Sequence, residues 1–192
     1  MVIQLKNVRV NEGLSRESLA FSATLYINGQ RVGLISNDGN GGETHYQSFD
    51  NRGAALIEEA VKWVGSFSRK PGASQTDGAE AAADAEKFRD HLEETANCWW
   101  NGKELAKFQR QAEKAMVKGI VFGVPGKAYR VMQYTQPIAV IIGIKKGVER
   151  LRQDIHLKVI PMLSGDEKIL NTNIPMSVVG LLEVPVEKWI SR

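Results

Sequence analysis

Residues 19–46 constrain the fold more than any other part of the chain, because two runs of strand-forming residues flank a tight turn there. In residues 19–27 apolar side chains alternate with polar ones, which is typical of a half-buried β-strand. Asn28 and Gly29 follow, and both tolerate the positive φ angles of a type I′ turn. A return strand at residues 31–36 completes a predicted β-hairpin.

Further strands extend this hairpin into an antiparallel meander. Residues 2–10 predict a first strand, in which we group Gln4, Lys6 and Val8 on one face, and residues 43–49 are long enough for a fourth. A helix is predicted next, capped by Asp50 or Asn51. Its apolar residues recur at steps of three and four, namely Leu56, Ile57, Ala60, Val61, Val64 and Phe67. We expect this helix to pack on the apolar face of the meander.

The middle of the chain predicts a linker followed by a helical hairpin. Residues 70–78 contain a proline, two glycines and no large apolar side chain, a composition typical of linkers. Residues 79–98 and 103–118 each show the apolar spacing of a helix. Asn101 and Gly102 lie between them and favour a break between two helices.

The C-terminal part alternates short apolar runs with prolines and glycines. This pattern predicts strands at 120–124, 128–134, 137–144 and 176–184, a helix at 145–157 and a helical turn at 186–191. The predicted fold class is therefore α+β, with an antiparallel sheet, a packed helix and a central helical hairpin at 79–118. We expect residues 1–69 and 119–192 to share one core.

Length and cysteine content narrow the class of protein. At 192 residues the chain can bury its own core, and its single cysteine, Cys98, excludes an internal disulfide framework and fits a reducing compartment. It has no run of about 18 apolar residues, and its first ten residues alternate rather than forming a signal peptide. We predict a cytoplasmic protein without a membrane partner.

Charge is distributed unevenly along the chain. Residues 77–104 hold eight acidic and three basic residues, a net charge of −5, so the overall +3 leaves +8 for the remainder. One interpretation is that a basic face binds nucleic acid while an acidic helix contacts something else. The other is that the two helices of the hairpin, one acidic and one basic, neutralise each other, and the sequence favours this second interpretation.

The glycine-rich segment at residues 37–42 could in principle form an anion-binding nest of backbone amides. It leads into a strand rather than a helix, however, and lacks the Gly-Lys-Ser/Thr ending of a phosphate loop. The calcium-loop spacing also fails, because Phe49 stands where a bidentate glutamate is required. A tight connection that needs positive φ angles accounts for the glycines, and no cofactor is predicted.

No catalytic or metal-binding set is predicted either. The histidines are far apart in sequence, at His45, His91 and His156. His91 and Glu94 lie one helical turn apart, but no second pair completes a metal site. Cys98 adjoins Trp99 and Trp100, an apolar setting that disfavours the reactive thiolate. We therefore predict that the protein is not an enzyme.

Residues 15–42, which read SRESLAFSATLYINGQRVGLISNDGNGG, resemble the N-terminal part of small uncharacterised proteins of bacteriophages and mobile elements. Those proteins often open with a strand, a hairpin with Asn-Gly or Asp-Gly at its turn, and a glycine-rich loop. The resemblance implies a non-enzymatic accessory protein that acts on a host or viral macromolecule. It transfers no catalytic residues.

The first functional hypothesis is a protein-interaction module of phage or mobile-element type, conceivably an inhibitor that occludes the surface of a host defence complex. Adjacent tryptophans at a predicted helix end cannot both face one core, so one of them is a candidate interface anchor. The alternative, which the sequence favours slightly, is that the C-terminal third covers both. The predicted partner-binding residues are Asp38, Asn40, Glu43, His45, Asp90, Glu94, Trp99 and Trp100.

The alternative hypothesis is a nucleic-acid-binding accessory protein that uses a basic face. Basic residues are dense at 145–158, and a nearby tyrosine could stack on bases. The predicted nucleic-acid-binding residues are Tyr129, Arg130, Lys145, Lys146, Arg150 and Arg152. The sequence leaves the oligomeric state open, including a homo-oligomer.

Overall fold

A computed structural model describes residues 1–67, 77–179 and 186–190. The chain divides into two compact units, Met1–Gly102 and Lys103–Arg192. Both units combine antiparallel strands with helices, so the α+β class predicted from the sequence is confirmed. In the described residues, no helix is long and apolar enough to cross a membrane.

The first unit contains the predicted meander. Its strands are β1 (Ile3–Val10), β2 (Phe21–Ile27), β3 (Gln30–Asn37) and β4 (His45–Ser48), hydrogen-bonded in that order and all antiparallel. Asn28 and Gly29 join β2 to β3 with φ angles of 48° and 78°. Both positive values are those that a type I′ turn requires, so the predicted hairpin is confirmed.

Two helices cover one face of this sheet. Helix α1 (Asn51–Ser66) begins after Asp50, whose carboxylate Oδ1 accepts a hydrogen bond from the Gly53 amide at 2.6 Å. Helix α2 (Asp77–Met116) follows, and its N-terminal part contributes Phe88 to the core, where that ring meets Tyr46 edge to face. The buried core of the unit is Phe21, Ala23, Leu25, Ile27, Val32, Ile35, Ile57, Ala60, Phe88, Leu92 and Ala96.

The predicted helical hairpin is wrong, because α2 is one continuous helix of 40 residues. Asn101 and Gly102 lie inside it, exposed to solvent, and a glycine there costs only about 1 kcal/mol. That cost does not end a helix whose neighbouring turns are rich in good helix formers. The halves of α2 therefore do not fold back to neutralise each other. The predicted linker falls on residues 70–76, outside the described residues, and on 77 and 78, which are helical.

The second unit begins with the end of α2 and contains a smaller antiparallel sheet of order β6-β5-β7. Its strands are β5 (Gly119–Val124), β6 (Ala128–Gln133) and β7 (Lys168–Ile169). Its other elements are α3 (Ile138–Ile142), α4 (Lys145–Asp154), a π-helical turn (Ile155–Val159), 3-10 turns at Ile160–Met162 and Val186–Lys188, and α5 (Met176–Val179). The predictions of β5, β6 and the helix near residues 145–157 are confirmed.

Two predicted strands of this unit are helical instead. Residues 137–144 contain α3, because a five-residue apolar run fits a buried helical turn as well as a strand, and only packing decides between them. Residues 176–179 form α5, while the remainder of that predicted strand, 180–184, lies outside the described residues. The short strand β7 was not predicted, since two residues carry no periodicity.

The second unit has a hydrophobic core of its own. The larger cluster is Ile120, Phe122, Ile138, Leu151, Ile155, Val159, Ile169, Ile174, Val178 and Trp189. A smaller one is Ala112, Met116, Val121 and Leu170. The predicted sharing of one core by residues 1–69 and 119–192 concerns how the units are arranged, and it stays a prediction.

Candidate functional site

The face of the first sheet opposite α1 and α2 carries three cross-strand rows of side chains, which we call the outer sheet face. Paired residues of neighbouring antiparallel strands point to the same side, so the register defines its members. The rows are Gln4-Tyr26-Arg31, Lys6-Thr24-Leu34-Gln47 and Arg9-Ser22-Ser36-His45. None of these side chains is acidic.

Cations and apolar side chains share the outer sheet face. The Lys6 ammonium lies 4.3 Å from the ring centroid of Tyr26, and the Arg31 guanidinium carbon lies 4.3 Å from that of Phe49, just after β4. Leu34 is 50% exposed and Phe49 is 44% exposed. Lys6, Arg31 and Arg9 are exposed and form no ion pair with any residue in the described part of the chain. The surface is thus positively charged and partly apolar.

A β-bulge places the side chains of Lys6 and Arg9 on the same face of the sheet. Lys6 pairs with Thr24 and Arg9 with Ser22, and the register shifts between them, where Asn7 adopts a φ angle of 53°. A bulge adds one residue to one strand. Two side chains that are an odd number of positions apart in that strand then point to the same face of the sheet. The bulge also turns Val8 to the core side, so the grouping of Val8 with Gln4 and Lys6 was wrong.

The glycine loop is built from its own hydrogen bonds. The buried Asn37 carboxamide accepts from the Gly39 amide at 2.8 Å and from the Ser18 hydroxyl at 2.9 Å. It donates to the Gly42 carbonyl at 3.0 Å and to the Thr44 hydroxyl at 3.1 Å. All four hydrogen-bonding positions of Asn37 are used within the protein, which favours the interpretation of the loop as a tight connection.

Gly39 binds this loop to the segment before β2. Its carbonyl accepts hydrogen bonds from the Arg16 and Glu17 amides at 2.9 and 3.0 Å. Its φ angle is 85°, and a Cβ atom there would collide with the Leu14 carbonyl oxygen. The backbone groups at Gly39 are directed at the protein itself, so this position does not form an anion-binding nest.

The predicted partner-binding residues of the loop have separate environments. The Asn40 amide donates to the Asp38 carboxylate at 3.1 Å, and this hydrogen bond is the main cause that holds the pKa of Asp38 below its usual range. Glu43 forms an ion pair with Arg89 of α2 at 3.2 Å. His45 lies on the outer sheet face, near enough to Asp38 for electrostatic attraction.

The remaining predicted partner-binding residues lie on α2 and do not share one side of it. Asp90 and Glu94 are exposed one turn apart. Trp99 is 37% exposed, but at 3.6 residues per turn it lies about 140° around the helix from Glu94. Trp100 lies about 120° around it in the other direction. The acidic residues and the tryptophans therefore belong to different surfaces.

The basic residues predicted to bind nucleic acid lie in the second unit, and two of them have structural roles. Tyr129 packs edge to face on Phe108, with ring centroids 5.4 Å apart. Arg130 donates to both carboxylate oxygens of Glu167, at 2.9 and 2.8 Å, and to the Met162 carbonyl at 3.0 Å. Each of these two side chains is thus already engaged within the second unit, although Arg130 uses only one guanidinium nitrogen and remains exposed.

The other four predicted nucleic-acid-binding residues belong to α4. Arg152 donates to the carbonyl oxygens of Val178 and Ser177, at 3.3 and 3.5 Å, and Arg150 lies 3.9 Å from the Asp154 carboxylate. Lys145 and Lys146 are exposed at the beginning of the helix. Of the six predicted residues, these two lysines are left as exposed cations without a partner in the described residues.

The second unit also contains an apolar groove of about 430 Å³, lined mainly by Leu105, Phe108, Ala112, Met116, Leu170 and Ile190. Among the described residues of its lining, Glu113 is the one ionisable side chain, so these residues offer no acid–base pair. Among the described residues, no group of three or more His, Cys, Asp or Glu side chains could hold a metal ion.

Comparison of the chain with protein-family models, with curated proteins and with solved structures finds no match. The resemblance to proteins of bacteriophages and mobile elements stays a prediction. The function proposed below therefore depends on the geometry and charge of this chain's own residues.

Sequence reasoning missed the outer sheet face because it searched for basic residues that are close together along the chain. Lys6, Arg9 and Arg31 are scattered over 26 positions and meet only across strands. A usable signal was present nonetheless: the polar positions of the first three predicted strands contain basic residues and no acidic one. Arg9 lies on this face because of the bulge, and the alternation of apolar and polar residues alone does not reveal a bulge.

Proposed function

We propose that this protein is a nucleic-acid-binding accessory protein and that it binds through the outer sheet face. The observation that carries the proposal is a combination of cations and rings: Lys6, Arg9 and Arg31 form no ion pair within the described residues, the half-buried Tyr26 and the exposed Phe49 lie beside them, and the three rows contain no carboxylate. Lysine and arginine neutralise phosphates, and aromatic side chains support bases. Both parts of a nucleotide thus have a partner on one surface.

The positive charge of the outer sheet face also indicates which kind of ligand it can bind. A second copy of the chain, docked face to face, would bring Lys6, Arg9 and Arg31 against the same residues, and like charges in contact disfavour association. A purely acidic protein segment would satisfy the cations but would leave Leu34, Phe49 and Tyr26 opposite charged groups. Nucleic acid offers both phosphates and flat base faces, which suit the cations and the apolar side chains of this face.

This proposal takes up the alternative hypothesis from the sequence but assigns it to different residues. The hypothesis of a protein-interaction module of phage type, including an inhibitor of a host defence complex, stays a prediction. Of its suggested contacts, Glu43 beside the glycine loop is ion-paired with Arg89 of α2, whereas Glu94 and the two tryptophans lie on different sides of that helix. Absence of catalysis likewise stays a prediction.

Fluorescence anisotropy with a labelled oligothymidylate of about 16 nucleotides tests the proposal. We expect binding that weakens steeply between about 50 and 200 mM salt, because phosphate contacts release counterions. The double variant Lys6→Glu/Arg31→Glu should abolish binding. Both side chains are exposed, so circular dichroism should show that the variant remains folded.

The matched control is Lys145→Glu/Lys146→Glu, which changes the net charge equally but on α4. We expect this control to retain most of the wild-type affinity. An equal loss in the two double variants would mean that binding follows total charge rather than the outer sheet face. Absence of binding at low salt, or tighter binding of an acidic polypeptide than of the oligonucleotide, would contradict the proposal.

A further inference from the structure

Building on the proposed function, we infer that the ligand of the outer sheet face is single-stranded rather than double-stranded nucleic acid, with bases stacked on the face and phosphates along its β1 side. The inference comes from the order in which flat and charged side chains follow one another across the strands. It names the form of nucleic acid and the contacts that select it.

The apolar groups of the face, two aromatic rings and one leucine, lie towards the middle and the β4 side of the sheet. Tyr26 of β2 and Leu34 of β3 occupy neighbouring rows, and Phe49 follows directly after β4. Arg31 stacks near Phe49, and a guanidinium plane is itself a surface on which a base can lie. Strand spacing makes the face about 14 Å across, which gives room for roughly two or three stacked bases.

The cations of β1 lie along one edge of these flat groups. Lys6 and Arg9 project from the edge strand, in the second and third rows, and the bulge at Asn7 keeps them on the same side. The Lys6 ammonium lies over the Tyr26 ring at 4.3 Å, so a base that stacks on Tyr26 takes its place and the ammonium contacts a phosphate of a backbone that follows β1. With Lys6 and Arg9 as the two phosphate contacts, the logarithm of affinity should fall with the logarithm of salt concentration with a slope of about −1.4.

A duplex cannot use the same arrangement. Its bases are stacked on each other, and it presents phosphates and grooves to a protein surface. The exposed apolar area of Leu34 and Phe49 would then face hydrated grooves, and only the cations would contribute. A single strand places unstacked base faces against this area. Stacking of one base on an aromatic side chain contributes about 1–3 kcal/mol, which corresponds to roughly 5- to 150-fold in affinity.

The test compares four probes of equal length by anisotropy: oligothymidylate, oligouridylate, an abasic strand that keeps only the sugar-phosphate backbone, and a duplex. Stacking and phosphate contacts are common to DNA and RNA, so tight binding of either single strand supports the inference. We expect the abasic strand and the duplex to bind at least about fivefold more weakly than the better single strand.

The variants Tyr26→Leu and Phe49→Leu remove an aromatic ring but keep an apolar side chain. We expect each to weaken single-strand binding roughly 5-fold or more without changing the salt slope, and to leave abasic-strand binding unchanged. The control Phe67→Leu replaces a 70% exposed ring outside the sheet and should have no effect. This combination separates stacking from a loss of folding, because an unfolded variant would lose the abasic strand too.

The outcomes distinguish the inference from the proposed function. Equal affinity for all four probes, still dependent on Lys6 and Arg31, would overturn the inference and leave the proposed function standing. A preference for duplex would do the same. Failure to bind any probe would overturn both. An aromatic variant that circular dichroism shows to be folded, and that weakens strand and abasic probe alike, would show that the rings do not contact bases.

Discussion

Lys6 and Arg9 lie on the same face of the first sheet although three positions separate them, because the bulge at Asn7 shifts the register between them. In a regular strand an odd separation places two side chains on opposite faces. Without the shift, Arg9 would be directed towards the core and Val8 towards solvent. One backbone irregularity therefore decides both the apolar contacts and the charge of the outer sheet face.

Asn7 tests this relationship directly. Asn7→Val should lower the free energy of unfolding by about 1–3 kcal/mol, because a β-branched residue is strained at a φ angle of 53°. Asn7→Gly should be close to wild type, since glycine adopts positive φ freely. Urea unfolding measures the stability of each variant, and oligothymidylate anisotropy measures its binding. Both variants lose the long 3.5 Å contact of Asn7 with Thr24, so this loss does not distinguish them. Equal stability and equal binding of the two variants would therefore contradict the argument.

Two helical glycines should respond oppositely to alanine. A Cβ at Gly65 of α1 would collide with the Asp84 carboxylate of α2, so Gly65→Ala should destabilise the first unit by about 1–3 kcal/mol. Gly102 of α2 has open space around it, so Gly102→Ala should stabilise by about 0.5–1 kcal/mol through helix propensity. Urea titration followed by circular dichroism measures both. Destabilisation by Gly102→Ala would indicate that the helix is broken there.

Asn37 should be the residue on which the glycine loop depends most. Asn37→Ala removes four hydrogen bonds and leaves the buried Thr44 hydroxyl and Gly39 amide without them, at a cost of at least about 2 kcal/mol. Asn40→Ala is the control, because Asn40 is exposed and its backbone amide bond to Asp38 survives, so it should change stability by less than about 0.5 kcal/mol. Comparable effects of the two substitutions in urea unfolding would refute this role for Asn37.

Asp154 should make the stability of the second unit depend on acidic pH. Burial tends to raise the pKa of Asp154, but hydrogen bonds from the Lys158 ammonium at 2.6 Å and the Tyr134 hydroxyl at 3.0 Å bring it below the usual range. A carboxyl whose pKa is lower in the folded state stabilises the protein above its unfolded value of about 3.9. That contribution is lost as the pH falls through the lower folded value.

Comparison of wild type with Asp154→Asn measures this contribution. At pH 7 the substitution should lower the free energy of unfolding by about 1–2 kcal/mol, and the difference should shrink below about pH 4. Asp166→Asn removes an exposed carboxylate of the same unit and should change stability by less than about 0.5 kcal/mol at pH 7. A difference for Asp154→Asn that is unchanged at low pH would contradict the assignment.

Local signals were sufficient for the N-terminal meander. Alternation predicted β2, the Asn28-Gly29 pair predicted its turn, and the cap at Asp50 predicted the beginning of α1. Each of these features depends on a few neighbouring residues, whose preferred φ angles or side-chain hydrogen bonds act within one turn. No distant contact had to be known.

Local signals failed where two alternative conformations of a segment differ little in free energy. An exposed Asn-Gly pair can end a helix or continue it at a cost of about 1 kcal/mol, and α2 continues. The apolar run at 138–142 can form a strand or a helical turn, and burial of Ile138 in the second core accompanies the helix. Tertiary packing contributes more than such differences and therefore decides them.

The outer sheet face, which is the candidate site, likewise could not be predicted from local signals. Neither Lys6 nor Arg31 is unusual in its own strand, and their shared face results from pairing across β1, β2 and β3. The basic cluster that sequence density favoured is largely used within the fold, as the two-oxygen contact of Arg130 with Glu167 illustrates. Density along the chain does not report whether a charge is paired in space.

The sequence alone determined the α+β class, the hairpin at Asn28-Gly29 and the capped helix after it, because these depend on backbone preferences of adjacent residues. Only the tertiary structure decided that α2 is a single helix, that the bulge turns Arg9 outward, and that scattered cations and rings share one surface. The physical reason is that burial and cross-strand pairing join residues far apart in the chain, and their free energies exceed the local preferences that a sequence reveals.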